Sequence, residues 1–289
     1  MTFSSLNVFI CAILLIFPQI AHSSAQCGVH ATNAELAEAR SWQEPSSFVT
    51  SDHRLIGGIE TRPHAWPWTV QLLCKQSHRC GGSLIDANFV LTAAHCLARD
   101  HNPSTYSVRI GGHVSGSGTH HRVTAITVHP FYNIGWPSSY DVALMRIYPP
   151  VNITAKSRAI CLPRNPPIEN RLCVVTGWGS TQEGSVLWAP KLREIHVPII
   201  PTLFCNSLPN YAGRIHLPSM LCAGYSYGKI DSCQGDSGGP LMCANNGRWE
   251  LTGLVSWGIG CGRPGNPGVY ANVHSAMSWI ELEMFRLRI

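Results

Sequence analysis

The chain has 289 residues, 21 Lys and Arg against 16 Asp and Glu, a net charge of +5, and only 13% charged residues. Its 26 glycines and 20 prolines fit a loop-rich globular protein of one or two domains. No Lys/Arg run or basic-aromatic platform argues for nucleic acid, and no stretch beyond the N-terminus is apolar and long enough to span a bilayer.

Residues 1–25 read as a secretory signal. An apolar run over residues 6–17 is broken by Asn7 and ended by Pro18. Small residues follow at Ala21, Ser23 and Ala25, so cleavage falls after Ser23 or Ala25. The rival reading is a membrane anchor, but a spanning helix needs about 20 mostly apolar residues and this run is shorter. Twelve cysteines agree with an oxidising, extracellular compartment. Cys11 leaves with the signal, so an odd number remains and at least one thiol stays unpaired within the chain.

Residues 26–54 read as a polar pro-segment without clear periodicity. They hold the acids Glu35, Glu38, Glu44 and Asp52 but only the bases Arg40 and Arg54. Removing these from the totals leaves 19 bases and 12 acids from Leu55 onward, a net +7. A basic body favours acidic surfaces or substrates, although ordinary solubility is the plainer reading.

After the pro-segment come short β-rich runs separated by turn residues. Examples are Trp68-Thr69-Val70-Gln71-Leu72, Asn88-Phe89-Val90-Leu91-Thr92, residues 141–147, residues 173–176 and residues 249–257. Regular strands with Gly/Pro turns predict an all-β sandwich or barrel, between which the spacing does not choose. A Pro-rich stretch over residues 148–167 reads as the connection between two halves. Met277, Ile280, Met284 and Leu287 recur at helical intervals, predicting an amphipathic helix over residues 275–287 packed on the second half.

Three local sequences carry chemistry. Thr92-Ala93-Ala94-His95-Cys96 supplies an imidazole, and Asp141-Val142-Ala143-Leu144 a carboxylate. Asp231-Ser232-Cys233-Gln234-Gly235-Asp236-Ser237-Gly238-Gly239-Pro240 supplies a serine among glycines, with two further carboxylates. A serine hydroxyl is a weak nucleophile at neutral pH and needs a base within hydrogen-bond reach. Imidazole titrates near the working pH and serves as that base, so activity should fall in mildly acid solution. A lone Ser, His or Asp is more often structural, but three motifs in the order His, Asp, Ser make chance remote.

That order and those motifs resemble the trypsin-like (chymotrypsin-family) serine proteases, from about residue 54 to the C-terminus. The resemblance implies an all-β fold of two antiparallel six-stranded Greek-key barrels with a C-terminal α-helix. The protease domain would span residues 55–289, with barrels over about 55–150 and 171–273. It implies Ser237 as nucleophile, His95 as base, and Asp141 holding the His95 tautomer. Gly235 and Ser237 match the backbone donors of the oxyanion hole. Asp231 matches the base of the primary specificity pocket, and Gly258 and Gly268 its open walls, so cleavage after Arg or Lys is expected. Ser232 would add a hydroxyl there, and Ser256, Trp257 and Gly258 would pair with the substrate backbone as an added strand.

Arg54-Leu55-Ile56-Gly57-Gly58 resembles the family's activation site. Cutting after Arg54 would free an amine on Leu55, which would turn inward and pair with Asp236. The family usually begins its mature chain with Ile, so Leu55 is a mild departure in branching. Activation would come from another protease or from the enzyme itself.

The resemblance also implies disulfides Cys80–Cys96, Cys173–Cys243, Cys205–Cys222, Cys233–Cys261 and Cys27–Cys161, the last keeping the pro-segment attached. Cys74 is left over. Asn152-Ile153-Thr154 is a glycosylation sequon. No metal is expected: the histidine spacing matches no strong template, and no Asp or Glu lies between Asp100 and Asp141, where some relatives bind calcium. No cofactor is expected, and the expected partners are protein or peptide substrates bearing Arg or Lys and protease inhibitors. Alternatives from other classes are a catalytically dead homologue acting as a binding protein and a membrane-tethered protease.

Overall fold

The structure is a computed structural model that describes residues 27–29 and 58–289. The expected signal, most of the pro-segment and the Arg54–Leu55 activation bond lie outside the described residues. Two closed barrels of six antiparallel strands dominate the fold. The first is built from β2 (Thr69–Cys74), β3 (Ser77–Asp86), β4 (Phe89–Thr92), β5 (Tyr106–Ile110), β6 (Thr119–Val128) and β7 (Ala143–Tyr148). Its order is β2-β3-β4-β7-β6-β5, with β5 returning to β2.

The second barrel uses β8 (Leu172–Gly177), β9 (Arg193–Ile200), β10 (Met220–Ala223), β11 (Pro240–Asn245), β12 (Arg248–Trp257) and β13 (Gly268–Asn272). Its order β9-β10-β13-β12-β11-β8 is closed by pairing of β8 with β9. A two-residue β1 (Ile59–Glu60) pairs with the start of β9. The chain leaving the expected activation site is thereby tied to the second barrel, and Arg193 there donates to Gly58 O at 2.5 Å.

Alternation explains the barrel interiors. Val70 and Leu72 on β2, Val108 and Ile110 on β5, and Leu144 on β7 are fully buried, as inward residues of a half-buried strand must be. Val175, Ile195, Val197, Leu241 and Tyr270 fill the second barrel. Trp68 is fully buried between the halves, and Thr69 and Thr176 share a 2.8 Å hydrogen bond from barrel to barrel.

Among the described residues two α-helices accompany the barrels: α1 (Thr202–Ser207) and α2 (Met277–Arg288). A 3₁₀ turn at Val273–Ala276 leads into α2 and buries Val273 and Ala276. Ile280 and Met284 are buried, and Met277 and Leu287 are partly so, which is the stripe that the helical spacing picks out. The helix does not rest on the second half as its sequence position led us to expect. Ile280 and Met284 join a core cluster that draws on both barrels, Arg288 pairs with Asp86 of β3 at 2.8 Å, and its guanidinium lies over the Phe89 ring of β4.

Five disulfides brace the chain: Cys27–Cys161, Cys80–Cys96, Cys173–Cys243, Cys205–Cys222 and Cys233–Cys261. Cys74, at the end of β2, is a free and partly exposed thiol. Asn152 is exposed.

Candidate active site

His95 and Asp141 are far apart in sequence and adjacent in space for a reason of sheet register. His95 sits on a 3₁₀ turn directly after β4, and Asp141 lies two residues before β7. The two strands are antiparallel neighbours with Thr92 opposite Ala143. The chain beyond one strand therefore meets the chain before the other. The His95 N–H donates to Asp141 Oδ1 at 2.9 Å, and the ring Nδ1 donates to Oδ2 at 2.7 Å. Asp141 is fully buried, and Ser256 Oγ donates to its Oδ2 at 2.5 Å. Three donors on one carboxylate offset its desolvation and hold it as an acceptor.

Ser237 arrives from the other barrel, on the loop before β11. Its carbonyl accepts from Gly81 N of β3 at 2.8 Å, and the Cys96 Sγ lies 3.7 Å from that carbonyl and 3.8 Å from His95 Nε2. The disulfide Cys80–Cys96 thus stands between the serine backbone and the imidazole. Nε2 makes no hydrogen bond to Ser237 among the described residues; such catalytic contacts commonly tighten only when substrate is bound.

Glycine is required on this loop. Gly235 has φ +93°, and a side chain there would run into the Trp188 ring and the Gly179 backbone. A Cβ on Gly238, at φ +75°, would collide with Thr92 and Ala93 of the first barrel. The N–H groups of Gly235 and Ser237 have no acceptor among the described residues. Gly235 O faces His78 Nε2 at 3.1 Å, and Ser180 N donates to Gln234 O at 2.6 Å.

Asp236 points away from the imidazole into the second barrel and is fully buried. Its Oδ1 accepts from Gly179 N at 2.8 Å and its Oδ2 from Cys233 N at 3.0 Å. Gly177 and Gly179 leave room for the carboxyl, since a Cβ on either would overlap it. Burial pushes the Asp236 carboxyl up to about 7, against the two backbone hydrogen bonds. The expected partner, the Leu55 amine, lies outside the described residues.

Asp231 is 4% exposed. Its Oδ1 accepts from Ser232 N at 2.8 Å and its Oδ2 from Gly262 N at 2.9 Å. Burial pushes this carboxyl up to about 7 as well, opposed by those same bonds. Gly268 lies directly against it: a Cβ there would come within 2.8 Å of Oδ1. A Cβ on Gly258 would have no neighbour nearer than Gly260 O at 3.5 Å, so that wall is open. Ser232 is buried beside Asp231, and Ser256 and Trp257 are the last two residues of β12. The Cys233–Cys261 disulfide joins the loop bearing Asp231 to the loop bearing Gly258 and Gly268.

Sequence reasoning missed several residues here. Ser256 acts through its hydroxyl on Asp141, not only through its backbone. Trp188 stands 40% exposed beside Gly235, with its ring 5.3 Å from that of His78. Glu183 and Arg263 form a bidentate bridge at 2.5 and 3.0 Å between the Trp188 loop and the Gly262 loop. No motif marks these residues, because each is defined by a partner 47 or more positions away. Cys80, His95 and Cys96 cluster their donor atoms, but two of them form a disulfide and lack the thiolate a metal needs.

Paired six-stranded barrels with a serine loop crossing their seam define the chymotrypsin-like class of serine endopeptidases. Comparison with protein families agrees: the Trypsin family model matches residues 55–280. The chain belongs to the trypsin family and is a serine endopeptidase. No helix among the described residues is long and apolar enough to cross a membrane.

Proposed function

We propose that the protein is a secreted endopeptidase, made as a zymogen, that cleaves after Arg or Lys once it is cut after Arg54. Residues 1–25 would be its signal, residues 26–54 its pro-segment and residues 55–289 its protease domain. Ser237 Oγ attacks the scissile carbonyl while His95 Nε2 takes its proton. Asp141, held by Ser256, fixes the imidazole with Nε2 facing the serine and stabilises the imidazolium that forms. The N–H groups of Gly235 and Ser237 receive the oxyanion, a contribution of about 2.7–4 kcal/mol for one such donor. His95 then protonates the leaving amine, and water repeats the cycle on the acyl-enzyme.

The observation that carries the specificity is the Asp231 carboxylate. It is buried beneath glycine-lined walls, and it forms no ion pair among the described residues. A guanidinium or ammonium entering the slot supplies the missing partner and offsets the cost of desolvation. Asp236 supports the activation reading in the same way: its buried carboxylate has two backbone donors and would take the Leu55 ammonium as a third. Once bound there, the new terminus would order the neighbouring oxyanion donors. Cys27–Cys161 would keep the pro-segment attached.

The test is a peptide-library cleavage profile of protein cut at Arg54, with Ser237→Ala as control. Cleavage confined to bonds after Arg and Lys, absent in the variant, is the expected result. Indifference to charge at that position would refute the assignment of Asp231. Self-activation is tested with Ser237→Ala precursor incubated with active enzyme: no accelerated cut at Arg54 would assign activation to another protease.

A further inference from the structure

Beside the proposed pocket lies a cation that the catalytic reading does not use. The Arg214 guanidinium stands over the face of the Trp257 ring, 5.2 Å from its centroid. Trp257 is the middle residue of the Ser256-Trp257-Gly258 segment at the end of β12. Arg214 is exposed, and among the described residues its side chain makes one hydrogen bond, a long 3.4 Å contact from Nη1 to Asn210 O. It forms no salt bridge among the described residues. The surrounding sequence offers none. No Asp or Glu occurs between Glu194 and Asp231, in residues 129–140, or in residues 258–268.

The arginine is held in place by its backbone and by the aromatic surface below it. Arg214 N donates to Tyr211 O at 2.7 Å. Tyr211 is fully buried, packs edge-on against Trp257 at 5.5 Å, and donates through its hydroxyl to Pro267 O at 2.7 Å. One residue before the arginine, Gly213 O accepts from Trp136 Nε1 at 3.1 Å, and the Trp136 ring lies 5.3 Å from that of His216. The loop bearing Arg214 is therefore fastened to the pocket wall on one side and to the loop leading into Asp141 on the other. A guanidinium stacked on an indole keeps its edge donors free for a carboxylate.

The geometry points to Arg214 as a specificity determinant that favours an acidic side chain at the third or fourth residue before the scissile bond. This inference rests on the proposed reading, in which a basic side chain fills the Asp231 slot and the preceding residues run antiparallel to Ser256-Trp257-Gly258. In that register the chain passes Trp257 and then reaches the guanidinium. The preferred substrate thus carries opposite charges at two positions, matched by Asp231 in the slot and Arg214 at the mouth.

The experiment uses activated full-chain enzyme and peptides ending in Arg at the cut, with Glu, Ala or Lys at the third and fourth positions. Glu should raise kcat/KM over Ala by about fivefold, the scale of a solvent-exposed charge pair, and Lys should lower it. The preference should shrink in 1 M salt, where the screening length is about 3 Å. Arg214→Glu should reverse the order of the Glu and Lys peptides, while Arg214→Lys should keep it in weakened form. Arg-cleaving enzyme that treats all three peptides alike, or an unchanged order in Arg214→Glu, would overturn the role of Arg214 alone. Failure to prefer Arg at the cut would overturn both this inference and the reading beneath it.

Discussion

In the proposed reading, Asp231 ties recognition to pH. With its carboxyl pushed up to about 7 by burial, it is largely neutral in mild acid and charged in mild base. Only the charged form pairs with a guanidinium. KM for an Arg peptide should therefore fall as pH rises from 5.5 to 8, and Asp231→Asn should abolish that trend. The same variant should lower kcat/KM for Arg peptides about 10²–10³-fold, as expected for removing one member of a buried charge pair. The sign for stability is opposite. A folded-state value above the unfolded one means stability that is full below about pH 4 and is lost as pH rises through about 7. Asp236 adds to the loss in the same direction. A small guanidinium ligand should accordingly raise the Tm of the enzyme more at pH 8 than at pH 5.5. Ser256 makes a separate residue-level prediction. Its hydroxyl supports the Asp141 carboxylate, and hydrogen bonds to charged groups are worth about 1.5–3 kcal/mol. Ser256→Ala should lower kcat about tenfold or more with little change in KM, read by steady-state kinetics.

At the level of elements, the terminal helix α2 is the clearest case. Its stripe of Met277, Ile280, Met284 and Leu287 was legible because helical periodicity is a local property of the chain. Its docking was not, because the partner surface on β3, β4 and β7 comes from residues more than 120 positions earlier. Ile280 is fully buried in a core cluster that draws on both barrels. Ile280→Ala should cost about 2–5 kcal/mol, measured as a lower denaturant midpoint. Strands were legible to the same degree: the segments read around Val70, Val90, Leu144, Val174 and Leu254 all lie in β-strands. Sandwich or barrel stayed open, because closure depends on β5 returning to β2 and β8 to β9, which alternation within one strand does not encode. The short helix α1 went unread, since Thr202–Ser207 is too brief to display a period.

The whole molecule joins two barrels and, through Cys27–Cys161, a segment preceding the expected cut. That pair closes a span of 134 residues and seats Cys27 against the second barrel, where Gly28 O accepts from Trp249 N at 2.9 Å. Protein cleaved after Arg54 should run as one band without reductant and as two with it. Cys27→Ser should give two bands under both conditions, with the pro-segment lost on gel filtration. Co-elution of the pro-segment with that variant on gel filtration would mean that non-covalent contacts are enough to retain it.

Read alone, the amino-acid chain determined the candidate groups, because His95, Asp141, Asp231, Gly235, Asp236 and Ser237 each sit in a short motif whose residue types and order are local facts. Tertiary structure decided which of those groups meet and which are buried. The β4–β7 register brings an imidazole to a carboxylate, a seam between barrels sets a serine loop beside them, burial raises two acids toward neutrality, and a tryptophan ring carries the Arg214 guanidinium. Distances, desolvation and charge pairing belong to neighbours in space, and these neighbours are chosen only when the sheets close.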